Sequence, residues 1–160
     1  MRNRSLFAGI AVCAILLLGF SSQGFAAGKG PRDFVSAAKA QITEISVQQV
    51  KADMSAGKPV FLLDVRDSEE FDAGHLPKAM HISRGMLEFN AGRMLPHKNA
   101  NIVVYCRLDA RSAMATAVMQ EMGYTNVKNM QGAFKAWGLA GYPIYNRHGE
   151  FKMIAFEKKG

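Results

Sequence analysis

Short apolar runs separated by amphipathic stretches recur along the chain from residue 42 onward. The clearest runs, residues 60–65 and 102–106, are nearly continuous and rich in valine, isoleucine and leucine, which is typical of strands covered on both faces. Segments with helical spacing stand between the runs and end at glycine or proline. This alternation predicts one α/β domain with a mostly parallel sheet.

The same patterns give approximate element positions. Strands are predicted at residues 42–45, 60–65, 79–82 and 101–105, around Val127, and again at 151–156. Helices are predicted at residues 33–40, after the capping residues Ser46 and Ser68, at 84–89, after Ser112 and at 131–140. In the helix after Ser112, helical spacing predicts an inward face formed by Met114, Ala117, Val118 and Met122.

Residues 1–26 have the layout of a secretory signal peptide. Arg2 and Arg4 supply a positive start, residues 6–20 are apolar, and small residues precede a cleavage point after Ala26. The apolar stretch is short for a membrane span, which needs about 20 residues. We therefore expect export to a bacterial periplasm with no stable membrane insertion after cleavage. The alternative is an uncleaved N-terminal anchor that faces the periplasm.

Composition limits the partners. The 160 residues carry a net charge of +7, and without residues 1–26 the 18 basic and 13 acidic residues leave +5. No run of lysine and arginine suggests a nucleic-acid groove, so small anions are the expected partners and nucleic acid is not.

Residues 27–43 are interpreted as a lead-in segment with a short helix, 44–143 as the domain and 144–160 as a tail with an extra strand.

The chain has two cysteines, and Cys13 lies inside the predicted signal peptide. Cys106 would then be the only thiol of the exported protein, which excludes an internal disulfide. The four histidines have no spacing typical of a zinc site, so we expect neither a metal nor another cofactor. A single reactive thiol in an oxidising compartment also predicts a disulfide-linked dimer through Cys106.

Cys106 is the strongest candidate for chemistry. The apolar strand stops at this cysteine, and a short polar turn with Arg107 and Arg111 leads into a helical pattern at Ser112. Backbone N–H groups of such a turn and the positive end of the helix form an anion pocket. A thiol in this position is expected to ionise more readily and to act as a nucleophile. A cysteine that is only a small buried hydrophobe needs no flanking arginines.

Three blocks of sequence resemble the rhodanese (thiosulfate sulfurtransferase-like) family over about residues 44–143. The first block comprises Asp64, Val65, Arg66, Glu70, Phe71 and residues 74–79. The second is the loop Cys106, Arg107, Leu108, Asp109, Ala110, Arg111 and Ser112. The third comprises residues 123–127, Gly132, Ala133, Phe134 and Trp137.

The resemblance implies a rhodanese-like α/β fold, with a small, mostly parallel five-stranded sheet flanked by helices on both faces. It also implies a sulfurtransferase. In this family the loop cysteine, here Cys106, takes a sulfane sulfur from a donor such as thiosulfate and forms a persulfide. Cyanide or a thiol then accepts the sulfur. The resemblance also implies that residues 107–112 form the active-site loop, with Arg107 attracting an anionic donor and Arg111 partly structural. For Asp64, Arg66 and His75 we favour structural support of the strand ends and turns, because ion-pair networks are common there.

One position departs from the family. Asp109 stands where a glycine is usual, and aspartate is among the better substitutes for a positive φ. Its negative charge argues against efficient use of thiosulfate and in favour of another donor.

Two other functions remain open. One is a non-catalytic sulfur-binding or sensor module; the other is a phosphatase or arsenate reductase, although those enzymes have five residues between cysteine and arginine, and Cys106 and Arg111 have four between them.

Overall fold

The computed structural model describes residues 28–154. The predicted signal peptide lies outside the described residues, as does the end of the chain from residue 155. Within the described residues, no helix is both long enough and apolar enough to cross a membrane.

The centre of the fold is a sheet of five parallel strands. The strands are β1 (Thr43–Ile45), β2 (Phe61–Asp64), β3 (Met80–His81), β4 (Ile102–Tyr105) and β5 (Val127–Met130). Their spatial order is β1-β5-β4-β2-β3, and every neighbouring pair is parallel. The α/β class and the five-stranded sheet predicted from the sequence are confirmed, and the sheet is wholly rather than mostly parallel.

Six α-helices accompany the sheet in the described part of the chain. They are α1 (Pro31–Lys39), α2 (Val47–Ser55), α3 (Ser68–Ala73), α4 (Leu87–Met94), α5 (Ala110–Glu121) and α6 (Ala133–Leu139). One face of the sheet packs against α4 and α5 through Leu87, Ala115 and Met119. The opposite face packs against α2 and α6 through Val50 and Trp137. Helices therefore cover both faces, as predicted.

The parallel register brings the carboxyl ends of the central strands to one edge. Leu63 of β2 lies opposite Val104 of β4, which in turn lies opposite Asn129 of β5. The residues that end these strands therefore approach one another, and the loops after them surround one region. In parallel α/β sheets, ligands bind at this edge.

Helix caps explain two of the element starts. The Ser46 side chain accepts a hydrogen bond from the Gln49 backbone N–H at 3.1 Å, so α2 begins where predicted. For α3 the N-cap is Asp67 rather than the predicted Ser68. Glu70 accepts from the Asp67 backbone N–H, which completes a capping box. The cap is one residue earlier because Asp67 and Glu70 have the three-residue spacing that this box needs.

The inward face of α5 differs from the prediction. Of the four predicted residues only Ala117 is buried, whereas Met114, Val118 and Met122 are half-buried. The buried residues are Ser112, Ala113, Ala115, Thr116, Ala117 and Met119. The cause is that α5 is covered on two sides, because α1 packs against it in addition to the sheet. Small side chains occupy both contact faces, and they do not stand out in a search for large apolar residues.

The C-terminal segment forms a hairpin rather than the predicted strand at 151–156. Strands β6 (Ile144–Asn146) and β7 (Gly149–Phe151) pair antiparallel, so among the described residues of that prediction only Phe151 is in a strand. The chain reverses at residues 147–148, and Gly149 has a φ of 120°. Backbone hydrogen bonds of 2.8 Å in both directions between His75 and Tyr145 attach this hairpin to the domain.

Gly74 lies directly under the hairpin. A Cβ atom at this position would stand 2.7 Å from Phe151 Cζ and 2.9 Å from Ile144 Cγ2. Gly74→Ala should therefore displace the hairpin and lower the free energy of unfolding by about 1–3 kcal/mol, as overpacking does. Urea denaturation measures the loss, and faster amide exchange at Tyr145 would locate it.

The matched control is Gly85→Ala, because no atom lies within 4 Å of a Cβ there. Equal stability of the two variants would show that the hairpin does not press on Gly74.

Candidate active site

Cys106 lies directly after β4, and only 2% of the residue is exposed. The Asp109 backbone N–H donates to its Sγ atom at 3.2 Å, and the Ser112 hydroxyl lies 3.5 Å from the same sulfur. The Ser112 hydroxyl also donates to the Asp109 carbonyl at 2.9 Å. The sulfur thus accepts a hydrogen bond from one backbone N–H of its own loop, and the Ser112 hydroxyl, whose proton is directed at the Asp109 carbonyl, lies beside it.

The first turn of α6 holds the start of the loop. The Phe134 backbone N–H donates to the Cys106 carbonyl at 3.0 Å, and the Lys135 N–H donates to the Arg107 carbonyl at 3.1 Å. N–H groups in the first turn of a helix have no partner inside the helix, so they are free to make such bonds. The loop leads into α5, but these hydrogen bonds attach it to α6.

Arg111 holds the other end of the loop. Its guanidinium lies 2.7 Å from the Glu70 carboxylate and 3.2 Å from Asp67, both at the start of α3. Burial alone would lower the pKa of Arg111. The pKa is raised instead, chiefly because Glu70 accepts a hydrogen bond from the guanidinium. Arg111 therefore bridges α3 and α5 and directs its donors toward carboxylates rather than toward the sulfur.

Asp109 has a φ of 108° and a ψ of −37°, a backbone conformation that glycine adopts readily and residues with a Cβ atom seldom do. Its carboxylate accepts hydrogen bonds from Lys39 of α1 and from the Asn129 side chain of β5. The hydrogen bond to Asp109 raises the pKa of Lys39. The negative charge of Asp109 is therefore paired rather than free beside the sulfur.

Glu44 completes this cluster. Its carboxylate lies 3.1 Å from Lys39 Nζ and accepts from the Asn129 and Gln131 side-chain amides at 3.0 Å. Burial favours the neutral acid, but these hydrogen bonds outweigh it and lower the pKa of Glu44. Lys39 and Asn129 thus each bridge the two carboxylates of Asp109 and Glu44. We call Lys39, Glu44, Asp109 and Asn129 the loop clamp.

Asp64 and Arg66 form a buried ion pair at the end of β2. The Arg66 side chain donates to both Asp64 carboxylate oxygens, with Nη2 to Oδ2 at 2.6 Å, and to the Gly74 carbonyl. The Arg66 guanidinium also lies 4.1 Å from the centre of the Phe134 ring. Burial would lower the pKa of Arg66, yet Asp64 raises it. The pair links β2 to the Gly74 turn and to α6.

His75 contributes to the same turn. Its Nδ1 atom donates to the Phe71 carbonyl at 3.0 Å, and its ring stacks on Phe71 with 4.0 Å between centroids. These contacts hold the ring within the turn.

The remaining loop residues, Arg107, Leu108 and Ala110, are exposed. Arg107 and Phe134 line a cavity of about 340 Å³, together with Phe151 and Met153 of the C-terminal segment. A larger cavity of about 770 Å³ lies between α3 and the hairpin, but no residue of the Cys106 loop lines it. Of these two cavities, the smaller one is therefore the one that borders the Cys106 loop, through Arg107.

The chain resembles known proteins in sequence and in fold. Residues 46–140 match the family described as Rhodanese-like domain. This chain belongs to the rhodanese-like domain family. A sulfurtransferase from Allochromatium vinosum is 29% identical over 103 residues, which cover 64% of this chain and 94% of that protein. The Escherichia coli thiosulfate sulfurtransferase is 33% identical over 78 residues, or 46% of this chain and 75% of that protein.

A solved structure from Rhodopseudomonas palustris, of unknown function and described as a possible tyrosine phosphatase, superposes with a TM-score of 0.68. It is 30% identical, and the match covers 75% of this chain and 97% of that one. The rhodanese-like domain and its sulfurtransferase relatives support sulfur transfer, and hence a transferase, as the general activity of this chain.

The structure brings together most of the residues singled out in the sequence. Cys106, Asp109 and Ser112 meet at the sulfur, Arg111 lies at the loop's far end, and Arg107, Leu108 and Ala110 are at its surface. Asp64, Arg66 and His75 contact the neighbouring turn rather than the sulfur. Among residues 28–154, no group of His, Cys, Asp and Glu side chains is arranged to hold a metal ion.

Sequence reasoning missed three residues of the loop clamp: Lys39, Glu44 and Asn129. Asn129 could have been noticed, because it lies near the carboxyl end of a predicted strand, where parallel sheets place their sites. Glu44 carried the same signal, because it lies near the carboxyl end of the strand predicted at residues 42–45. Lys39 has no such local signal, and both residues precede those that match the rhodanese-like domain family.

The buried ion pair allows a direct test. Asp64→Asn leaves the Arg66 cation buried without a compensating charge, so the free energy of unfolding should fall by about 3–5 kcal/mol. Urea denaturation measures this loss. The control is Glu88→Gln, which breaks the exposed Arg84–Glu88 pair and should cost less than about 1 kcal/mol. If Asp64→Asn cost no more than the control, the pair would not support the site.

Proposed function

We propose that this rhodanese-like domain is a sulfurtransferase in which Cys106 is the nucleophile and carries the sulfur as a persulfide. The donor is a small anion with a sulfane sulfur, such as thiosulfate, and the acceptor is cyanide or a thiol. The proposal rests chiefly on one observation, the hydrogen bond from the Asp109 N–H to the Cys106 sulfur at the end of a buried parallel strand.

The reaction has two steps. The Cys106 thiolate attacks the outer sulfur of thiosulfate, the sulfur–sulfur bond of the donor breaks, and sulfite leaves with the bonding electrons. The outer sulfur of the resulting persulfide is then attacked by cyanide or by a thiolate. Thiocyanate or a new persulfide leaves, and the Cys106 thiolate returns. Covalent catalysis of this kind divides one difficult transfer into two easier ones.

The surroundings of Cys106 suit an anionic donor. Arg107 is exposed on the loop and lines the adjoining cavity, where a cation attracts an approaching anion. The Asp109 carboxylate would repel such an anion, but Lys39 pairs with it. This pairing weakens the argument from sequence that Asp109 disfavours thiosulfate, so thiosulfate remains a donor that we propose.

A phosphatase is the second candidate, because the Rhodopseudomonas palustris structure is described as a possible tyrosine phosphatase. Two features of this chain favour sulfur transfer instead. Only four residues separate Cys106 from Arg111, which leaves a smaller loop than those enzymes have. In addition, the Arg111 guanidinium already forms ion pairs with Glu70 and Asp67. A phosphate ester would need that guanidinium as its own partner.

We further propose that the chain acts in a bacterial periplasm. The basis is the sequence of residues 1–26, with its positive start, apolar stretch and small residues before a cleavage point. An N-terminal anchor facing the same compartment is the alternative. Small sulfur-containing anions are the partners in either case.

Sulfur loading is measurable by intact-protein mass spectrometry. We expect the reduced protein to gain one sulfur atom on incubation with thiosulfate, to lose it on reduction, and to form thiocyanate when cyanide is added. Cys106→Ser should do none of these, because it lacks the attacking thiolate.

Other results would separate the alternatives. Loading without thiocyanate formation or transfer to a thiol would indicate a sulfur-binding or sensor module. Hydrolysis of p-nitrophenyl phosphate that depends on Cys106, without sulfur loading, would indicate a phosphatase. No loading from thiosulfate or from polysulfide would refute the sulfurtransferase proposal.

Air oxidation tests the proposed dimer. A thiolate exposed to an oxidant can form a disulfide with a second chain, although only 2% of Cys106 is exposed, which should make the reaction slow. We expect a band of twice the monomer mass on a non-reducing gel after prolonged exposure, absent with reductant and in Cys106→Ser. A wild-type band that stays monomeric would contradict the dimer.

A further inference from the structure

The loop clamp joins the reactive cysteine to a helix outside the part of the chain that matches the family. Lys39 is the last residue of α1, whereas the match begins at residue 46. Its partner Asp109 follows Cys106 by three positions. A residue far away in the sequence is thus in direct contact with the loop that surrounds the sulfur.

The contact matters because Asp109 has two roles in the loop. Its backbone N–H donates to the Cys106 sulfur, and its carbonyl accepts from the Ala113 N–H at 2.9 Å, where α5 begins. Both groups are oriented by the φ of 108°, which a residue with a Cβ atom seldom adopts. Such a conformation persists only when the surroundings hold it.

The surroundings that hold it are Lys39 and Asn129, which both donate to the Asp109 carboxylate. Asn129 is fully buried, and the Asp109 side chain is 15% exposed. Of the two donors only Lys39 carries a charge. Without that charge, the carboxylates of Asp109 and Glu44 would share one neutral amide donor, and two negative charges that share a donor repel each other.

We propose that Lys39 is a positioning residue for Cys106. By holding the Asp109 carboxylate, Lys39 keeps the Asp109 N–H directed at the sulfur and cancels the negative charge that Asp109 brings to the loop. The inference deepens the proposed function and rests on Cys106 being its nucleophile. It also explains how this chain tolerates an acidic residue in a loop that receives an anion.

Alkylation of Cys106 by iodoacetamide measures the effect without any sulfur donor. The reagent is neutral and reacts with the thiolate, so the dependence of its rate on pH reports how readily the thiol ionises. In Lys39→Met we expect the rate at neutral pH to fall about two- to tenfold, equivalent to weakening one hydrogen bond, and the pH profile to move to higher pH. The alkylation rate with the anionic reagent iodoacetate should fall further, because the Asp109 charge is no longer cancelled.

Two variants serve as controls. Lys58→Met removes another lysine that pairs with an aspartate, Asp53, but Lys58 precedes β2 and so lies at the opposite edge of the sheet. Its alkylation rate should match that of the wild type. Lys39→Arg keeps the charge and should restore most of the rate. If Lys39→Met does not fold, Lys39→Gln replaces it in the comparison.

Asp109→Gly provides the decisive background. Glycine adopts the same φ without help and has no carboxylate to hold. We therefore expect Lys39→Met to have no effect on alkylation once Asp109 is glycine. An equal effect in both backgrounds, or no effect in either, would overturn the inference.

The outcome can be separated from that of the proposed function. If the wild type takes no sulfur from any donor but Lys39→Met still changes the alkylation profile, the sulfurtransferase proposal fails and the positioning role stands. If the wild type loads sulfur from thiosulfate, Lys39→Met should raise the KM for thiosulfate more than it lowers kcat. Normal loading with an unchanged alkylation profile would overturn the role of Lys39 alone.

Discussion

The hydrogen bond from the Asp109 N–H to the Cys106 sulfur is the contact on which the geometry of the site depends. The chain must leave a fully buried strand at Tyr105 and begin α5 at Ala110, so the turn has only four residues. One residue with a positive φ makes this turn, and the same residue supplies a donor to the sulfur. The reversal of the chain and the hydrogen bond to the sulfur therefore depend on the same residue.

The loop is held from several sides, and each attachment comes from a different element. The N–H groups at the start of α6 bind the carbonyls of Cys106 and Arg107, and Arg111 binds the start of α3. The loop clamp adds α1 and β5 on the side of Asp109. Beneath these contacts, the buried pair of Asp64 and Arg66 joins β2 to the Gly74 turn. A loop that is exposed at its tip is thus rigidly supported at its base.

The sequence predicted what is encoded in neighbouring residues. Strand β4, Cys106 and the polar turn are contiguous, so hydrophobic pattern and residue type were enough to find them. Lys39 and Asp109 are 70 positions apart, and only the packing of α1 on α5 brings them together. The same packing explains the wrong inward face of α5, because small residues such as Ala113 and Thr116 line its contacts. At the C-terminus, the turn before Gly149 is set by backbone conformation, which apolar spacing does not report.

Because of the loop clamp, the structural unit that supports the Cys106 loop begins before the residues that match the family. The match to the rhodanese-like domain family starts at residue 46, yet the carboxylate of Glu44 and the ammonium of Lys39 precede that border. The C-terminal hairpin, which follows residue 140, lines the cavity beside Arg107 through Phe151. A gene fusion or duplication joined at the borders of that match would carry Cys106 but leave part of the loop clamp behind. Substitutions in α1 can therefore alter the surroundings of a thiol that lies far away in the sequence.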